Sequence, residues 1–92
     1  MRRFYHIYID SLQGMTHEEI EKKLDLAVDW FRYGTKNWIV YTTSDENKWY
    51  ERLKSFVRQG GNLFICELDI STAQGWMSKE FWEWIEENEK RS

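Results

Sequence analysis

Val28-Asp29-Trp30-Phe31-Arg32-Tyr33-Gly34-Thr35-Lys36-Asn37-Trp38-Ile39-Val40-Tyr41-Thr42-Thr43 is the stretch on which the fold turns. Two readings compete there. Ile20, Leu24, Ala27, Val28 and Phe31 keep helical spacing, so one helix could run on to Gly34. Strands and helices would then alternate and build a three-layer βαβαβα domain on a parallel sheet. In the rival reading the helix ends near Leu26. Residues 28–33 and 37–43 then form two antiparallel strands about a Gly34-Thr35-Lys36-Asn37 turn. Val28, Trp30, Phe31 and Tyr33 suit a strand. Local pattern alone leaves both open.

Outward from this stretch the signals are firmer. Phe4 to Asp10 alternates as a strand, with Tyr5, Ile7 and Ile9 on one face and Phe4, His6 and Tyr8 on the other. Ser11-Leu12-Gln13-Gly14 reads as a loop. Thr16-His17-Glu18-Glu19 is a capping box, and Met15 with Ile20 fits a hydrophobic staple. Downstream, Thr43-Ser44-Asp45-Glu46 caps a helix whose apolar face is Trp49, Leu53, Phe56 and Val57. Gly60-Gly61 stops it, and Asn62 to Leu68 reads as a strand. Ser78 caps a last helix with Phe81, Trp82, Trp84 and Ile85 on its apolar arc. Glu80, Glu83, Glu86, Glu87 and Glu89 form its wet face.

Ninety-two residues make one domain, 1–92. The chain is 17% aromatic, with six Trp, five Tyr and five Phe, more rings than one small interior is expected to hold. A net charge of −3 argues against avid binding of a phosphate backbone. No signal peptide or long apolar stretch is visible, so a cytoplasmic location is expected. The single Cys66 excludes an intrachain disulfide, and its apolar run Leu63-Phe64-Ile65-Cys66 suggests a core thiol.

At residues 28–44 the sequence resembles SinR-like proteins, relatives of the second CRISPR-associated protein, here called Cas-two-like. The resemblance rests on Asp29-Trp30-Phe31-Arg32-Tyr33, the turn, and Trp38-Ile39-Val40-Tyr41-Thr42-Thr43. It extends to Ile7-Tyr8-Ile9-Asp10, Leu63-Phe64-Ile65-Cys66-Glu67-Leu68 and the ending Trp76, Ser78, Trp84-Ile85. It implies the hairpin reading: a ferredoxin-like α+β βαββαβ sandwich with an extra C-terminal helix. Both inner helices would lie on one sheet face. The other face would be bare, unless the last helix covers part of it. A bare, ring-rich face implies a homodimer, with Phe4, His6, Tyr8, Trp30 and Trp38 as its interface; sequence does not fix the parity of the second and third strands, so Phe31 with Tyr33, and Tyr41, are the alternatives to Trp30 with Arg32 and to Trp38. The chain departs from the family in lacking the usual Pro after Asp10 and in its acidic balance.

The leading functional expectation is a non-enzymatic homodimeric protein-interaction module. The family context suggests a phage or bacterial accessory protein that inhibits a nucleic-acid defence system. Its acidic last helix, through Glu83, Glu86 and Glu87, would meet a basic groove on another protein; the same glutamates also read as a plain solvated face. One alternative is a metal-dependent endonuclease. The resemblance places Asp10 where Cas-two nucleases are proposed to bind a divalent metal, so Mg or Mn would be its cofactor. Thr42, Thr43, Ser44 and Asp45 are expected at the same sheet edge as Asp10. Asp10 equally reads as the cap of the Ser11-Leu12 turn. A second alternative is a single-stranded nucleic-acid binding module using the aromatic sheet, although Lys36 to Tyr41 lacks the glycine and paired Phe of that signature.

The remaining polar residues point to no reaction. His6 and His17 lack zinc-ligand spacing. Ser11, Ser44 and Ser71 have no base nearby in sequence. Glu67 and Asp69 are expected beside Arg2 and Arg3 as surface ion pairs. No membrane partner is expected.

Overall fold

The decisive stretch folds back on itself. In the computed structural model, which describes residues 1–11 and 16–91, strands β2 (Asp29–Gly34) and β3 (Asn37–Thr42) pair antiparallel, with Trp30 opposite Val40 and Arg32 opposite Trp38. The competing helix stops early: α1 spans His17–Leu24. Asp25 N–H still bonds to Glu21 O, but Val28 N–H donates to Tyr41 O at 2.8 Å. Ladder hydrogen bonds and ring burial thus override a helical spacing that carries little free energy of its own.

The capping signals are realised. Thr16 Oγ1 accepts the Glu19 N–H at 3.3 Å, and the Glu19 carboxylate accepts the Thr16 N–H at 3.2 Å. Such a cap contributes about 1 kcal/mol. The staple residue Met15 and the loop at 12–14 lie outside the described residues. Asp45 caps α2 (Glu46–Leu53), which tightens into a 3₁₀ turn at Lys54–Val57. Ser78 caps α3 (Lys79–Lys90).

Strand β1 (Arg3–Asp10) lies at the centre with β3, and β4 (Asn62–Leu68) forms an edge. The order is β2-β3-β1-β4, with every neighbouring pair antiparallel. The domain is therefore α+β on a four-stranded antiparallel sheet, and the parallel βαβαβα alternative is overturned.

Register decides which rings share a face, because residues directly opposite each other point the same way. Trp38 pairs with Ile7, and Val40 with Tyr5. They pack with Ile20 and Leu24 of α1 and with Trp49 and Leu53 of α2. Phe4 pairs with Tyr41, and His6 with Ile39, on the opposite face. There Phe4, Ile39 and Tyr41 are buried under Phe81 and Ile85 of α3, with Phe31, Leu68 and Trp84 packed alongside. Asp29 anchors this helix: its Oδ2 accepts the Trp84 indole N–H at 2.9 Å and the Asn88 amide at 3.3 Å.

Three expectations are corrected by this register. Trp38 is 0% exposed beneath α1 and α2, and Trp30 packs against the same core, so neither faces outward with His6 and Tyr8. Phe4 does face outward from that core, but α3 of the same chain buries it. Cys66 is exposed: it pairs with His6, so it lies on the outer face, beyond the reach of α3.

Candidate functional site

Helix α3 covers only half of the outer face. Its N-terminal turn brings Phe81 against Phe31 and Tyr33, with ring centroids 5.9 and 5.8 Å apart. Past that point the sheet lies open. Tyr8 pairs with Asn37 and Phe64, while His6 pairs with Cys66, so these side chains form one surface by register alone. Phe64 is 60% exposed and Tyr33 36%, and His6, Tyr8 and Asn37 are half-buried. The adjoining segment 73–78 has no regular structure and carries Trp76, wholly exposed, beside the partly exposed Met77. A groove joins the two features, lined by Phe31, Tyr33, Trp76 and Met77.

Within the open surface, Tyr33 Oη and His6 Nε2 share a hydrogen bond at 2.6 Å, their rings 5.7 Å apart. Burial holds the His6 imidazole below the usual histidine pKa, opposed by a side-chain hydrogen bond with Asn37. Burial also raises the Tyr33 hydroxyl, so it stays protonated near neutrality. A lowered histidine pKa means that the folded chain resists a proton that the unfolded chain accepts. Its stability is fully present above about pH 6.5 and declines as pH falls through and below that value. His6→Gln is expected to flatten the dependence of the urea midpoint on pH below this point. An unchanged slope would remove His6 as its source.

The Asp10 region is arranged differently from the sequence-based expectation. Because β3 runs antiparallel to β1, Thr42 lies opposite Arg3, and Thr42 to Asp45 sit at the far end of the sheet from Asp10. Lys36 Nζ is 2.9 Å from Asp10 Oδ1, and this contact raises the Lys36 pKa. Among the described residues, no group of three or more His, Cys, Asp or Glu is placed to hold a metal ion. Most of the turn that Asp10 was expected to cap lies outside the described residues.

The other candidate residues separate into small local contacts. Glu67 lies 3.8 Å from Arg3, the expected ion pair, whereas Asp69 accepts bonds from Ser71 and starts a 3₁₀ turn at Ile70–Thr72. Ser44 Oγ accepts from Arg52 at 3.1 Å. His17 is half-buried: its ring sits edge-on to Trp38, and its Nδ1 accepts from Arg32. Glu83, Glu86 and Glu87 are exposed along the outside of α3. No described helix is long and apolar enough to cross a membrane.

Sequence reasoning missed Phe64 and Trp76 as surface residues, and it left Tyr33 open with the parity of its strand. Phe64 was legible, because it alternates with Leu63 and Ile65 and one face of an edge strand must look outward. Trp76 carried no such signal, and Tyr33 was undecided because sequence does not fix the parity of β2, which the pairing of Phe31 with Ile39 settles. Compared with known proteins, the chain matches no family model, no curated protein and no solved structure.

Proposed function

We propose that this chain is a small non-enzymatic interaction module, ferredoxin-like in topology and akin to Cas-two-like and SinR-like proteins, that pairs with a second copy of itself. The strand order and its uniformly antiparallel neighbours support the ferredoxin-like reading. The observation that carries the pairing is the open half of the outer sheet face, where the exposed Phe64 and the partly exposed Tyr33 stand beside the half-buried Tyr8 and His6. Exposed aromatic clusters of this kind mark association surfaces on soluble domains. Two-fold pairing closes such a surface on itself. The acidic outer face of α3 stays free in that arrangement. Glu83, Glu86 and Glu87 then offer complementary charge to a basic, phosphate-binding groove on another protein.

Sedimentation velocity tests the pairing. The wild-type chain is expected to dimerise at micromolar concentration. Phe64→Asp is expected to weaken the dimer by at least ~10-fold, because a carboxylate would be forced into an apolar contact. It should leave the fold intact, because Phe64 is exposed in the monomer. A wild-type chain still monomeric at millimolar concentration would end this reading. So would two other results. One is salt-dependent binding to single-stranded oligonucleotides, which would make the rings a stacking platform. The other is Mg- or Mn-dependent cleavage of RNA or DNA that Asp10→Ala abolishes.

A further inference from the structure

Strand β4 turns a row of backbone groups away from the sheet. Ile9 N–H donates to Lys36 O at 3.0 Å, on the β3 side of β1. In an antiparallel ladder the N–H and C=O of one residue point to the same side, and successive residues alternate. Phe4, His6, Tyr8 and Asp10 therefore direct theirs toward β4, where they meet Leu68, Cys66, Phe64 and Asn62. Leu63, Ile65 and Glu67 are left with N–H and C=O groups pointing outward. Among the described residues no backbone group pairs with them, and Glu67 O has only the Cys66 thiol at 3.4 Å. The usual protections of an edge are also absent, since β4 carries no proline, no lysine and no bulge. The other edge, β2, differs: its register shifts between Arg32 and Gly34, and Asp29 ties it to α3.

The chemistry of this edge identifies its occupant. Outward N–H and C=O groups at alternate residues are matched by another extended backbone. Beside them, between β4 and α2, runs a groove of about 300 Å³ lined by Glu46, Asn47, Tyr50, Leu63, Phe64 and Ile65. It can take every second side chain of an added strand. Its charged residue is Glu46, and β4 adds Glu67, which keeps only a 3.8 Å pair with Arg3. Lys54, near the Tyr50 ring, is already held by Glu51 at 2.6 Å. A basic segment complements these carboxylates. The β4 strand of a second copy, Asn62-Leu63-Phe64-Ile65-Cys66-Glu67-Leu68, brings no Lys or Arg and repeats the carboxylate.

We propose that β4 accepts an extended peptide strand from a partner protein, with apolar side chains at alternate positions and a lysine or arginine beside Glu46 and Glu67. The strand adds along the edge of the sheet, so it does not depend on self-pairing through the sheet face, although Phe64 borders both surfaces.

Amide hydrogen exchange of the full chain, read by NMR, is the test. The probe is a synthetic eight-residue peptide of alternating valine and threonine with a lysine at each end. At saturation it is expected to slow exchange of the Leu63, Ile65 and Glu67 amides at least ~10-fold, while β2 amides keep their rates. A peptide with glutamate at each end is expected to bind at least ~5-fold more weakly, because attraction becomes repulsion. Glu67→Pro is expected to weaken binding at least ~10-fold, by removing an outward donor and setting a ring in the path of the added strand. The ladder to β1 does not use the Glu67 N–H, so the fold is kept. Should this variant fail to fold, exchange in the wild-type chain still decides. No gain of protection at millimolar peptide would overturn the proposal. So would equal binding of the two peptides, or wild-type affinity in a folded Glu67→Pro chain. Protection of the same amides without peptide, lost on dilution, would overturn it too by giving the edge to a second copy.

Discussion

Gly61→Ala is expected to destabilise the domain by at least ~3 kcal/mol. Two causes act together. Gly61 has φ +105°, a backbone conformation that side chains with a Cβ rarely adopt. A Cβ built there would lie 2.1 Å from the carbonyl oxygen of Asp10, which is backbone and cannot swing aside. Relief would require β4 to shift where Asn62 pairs with Asp10. A domain of this size has only about 5–15 kcal/mol in total. With a urea slope of about 1–3 kcal/mol per molar, the midpoint should fall by 1 M or more. Gly75→Ala is the control: an added Cβ meets nothing within 4 Å, so the stability should stay within about 0.5 kcal/mol of wild type. Equal stability of wild type and Gly61→Ala would refute the close approach of the turn to Asp10.

Trp38→Ala is expected to cost about 3–5 kcal/mol by leaving a large cavity in the core. The ring is wholly buried opposite Ile7, its indole N–H donates to Glu21 Oε2 at 3.0 Å, and the His17 ring sits edge-on to it with centroids 5.7 Å apart. The loss should appear in the urea midpoint at any protein concentration, because it belongs to the monomer. Phe64→Asp should behave in the opposite way, sparing the midpoint and changing only association. Trp38→Phe separates packing from hydrogen bonding. It keeps most of the apolar contact and leaves the Glu21 carboxylate short of one donor, at a cost of about 1–2 kcal/mol. A Trp38→Ala chain with wild-type stability and impaired pairing would restore Trp38 to the outer face and refute the register.

The contrast between Trp38 and Phe64 shows how far the sequence could be read. In β1 one face is purely apolar and the other carries His6, so the inward set Tyr5, Ile7 and Ile9 was unambiguous. In β3 every residue from Trp38 to Tyr41 is apolar, and burial cannot choose between two equally greasy faces. The direction of β3 was misjudged as well, which placed Thr42 to Asp45 beside Asp10 instead of beside Arg3. Strand direction follows from the whole path through α1 and the hairpin, and no local pattern encodes it. Cys66 was misread for a related reason: an apolar run on an edge strand looks like core until the partner face is known.

What the chain determined by itself were the features that depend on neighbours in sequence: the caps at Thr16, Asp45 and Ser78, the inward alternation of β1, and the stop at Gly60-Gly61. These arise from hydrogen bonds and backbone preferences spanning a few residues. The hairpin at 28–43 was decided by tertiary structure, because Val28 reaches Tyr41 only after the chain has closed a loop. So was the candidate surface. The length and docking angle of α3, held by Asp29 through Trp84 and Asn88, bury Phe4 and Tyr41 and leave Phe64 and Trp76 in solvent and Tyr8 half-buried. Which rings are core and which are surface is thus a matter of where one helix ends in space.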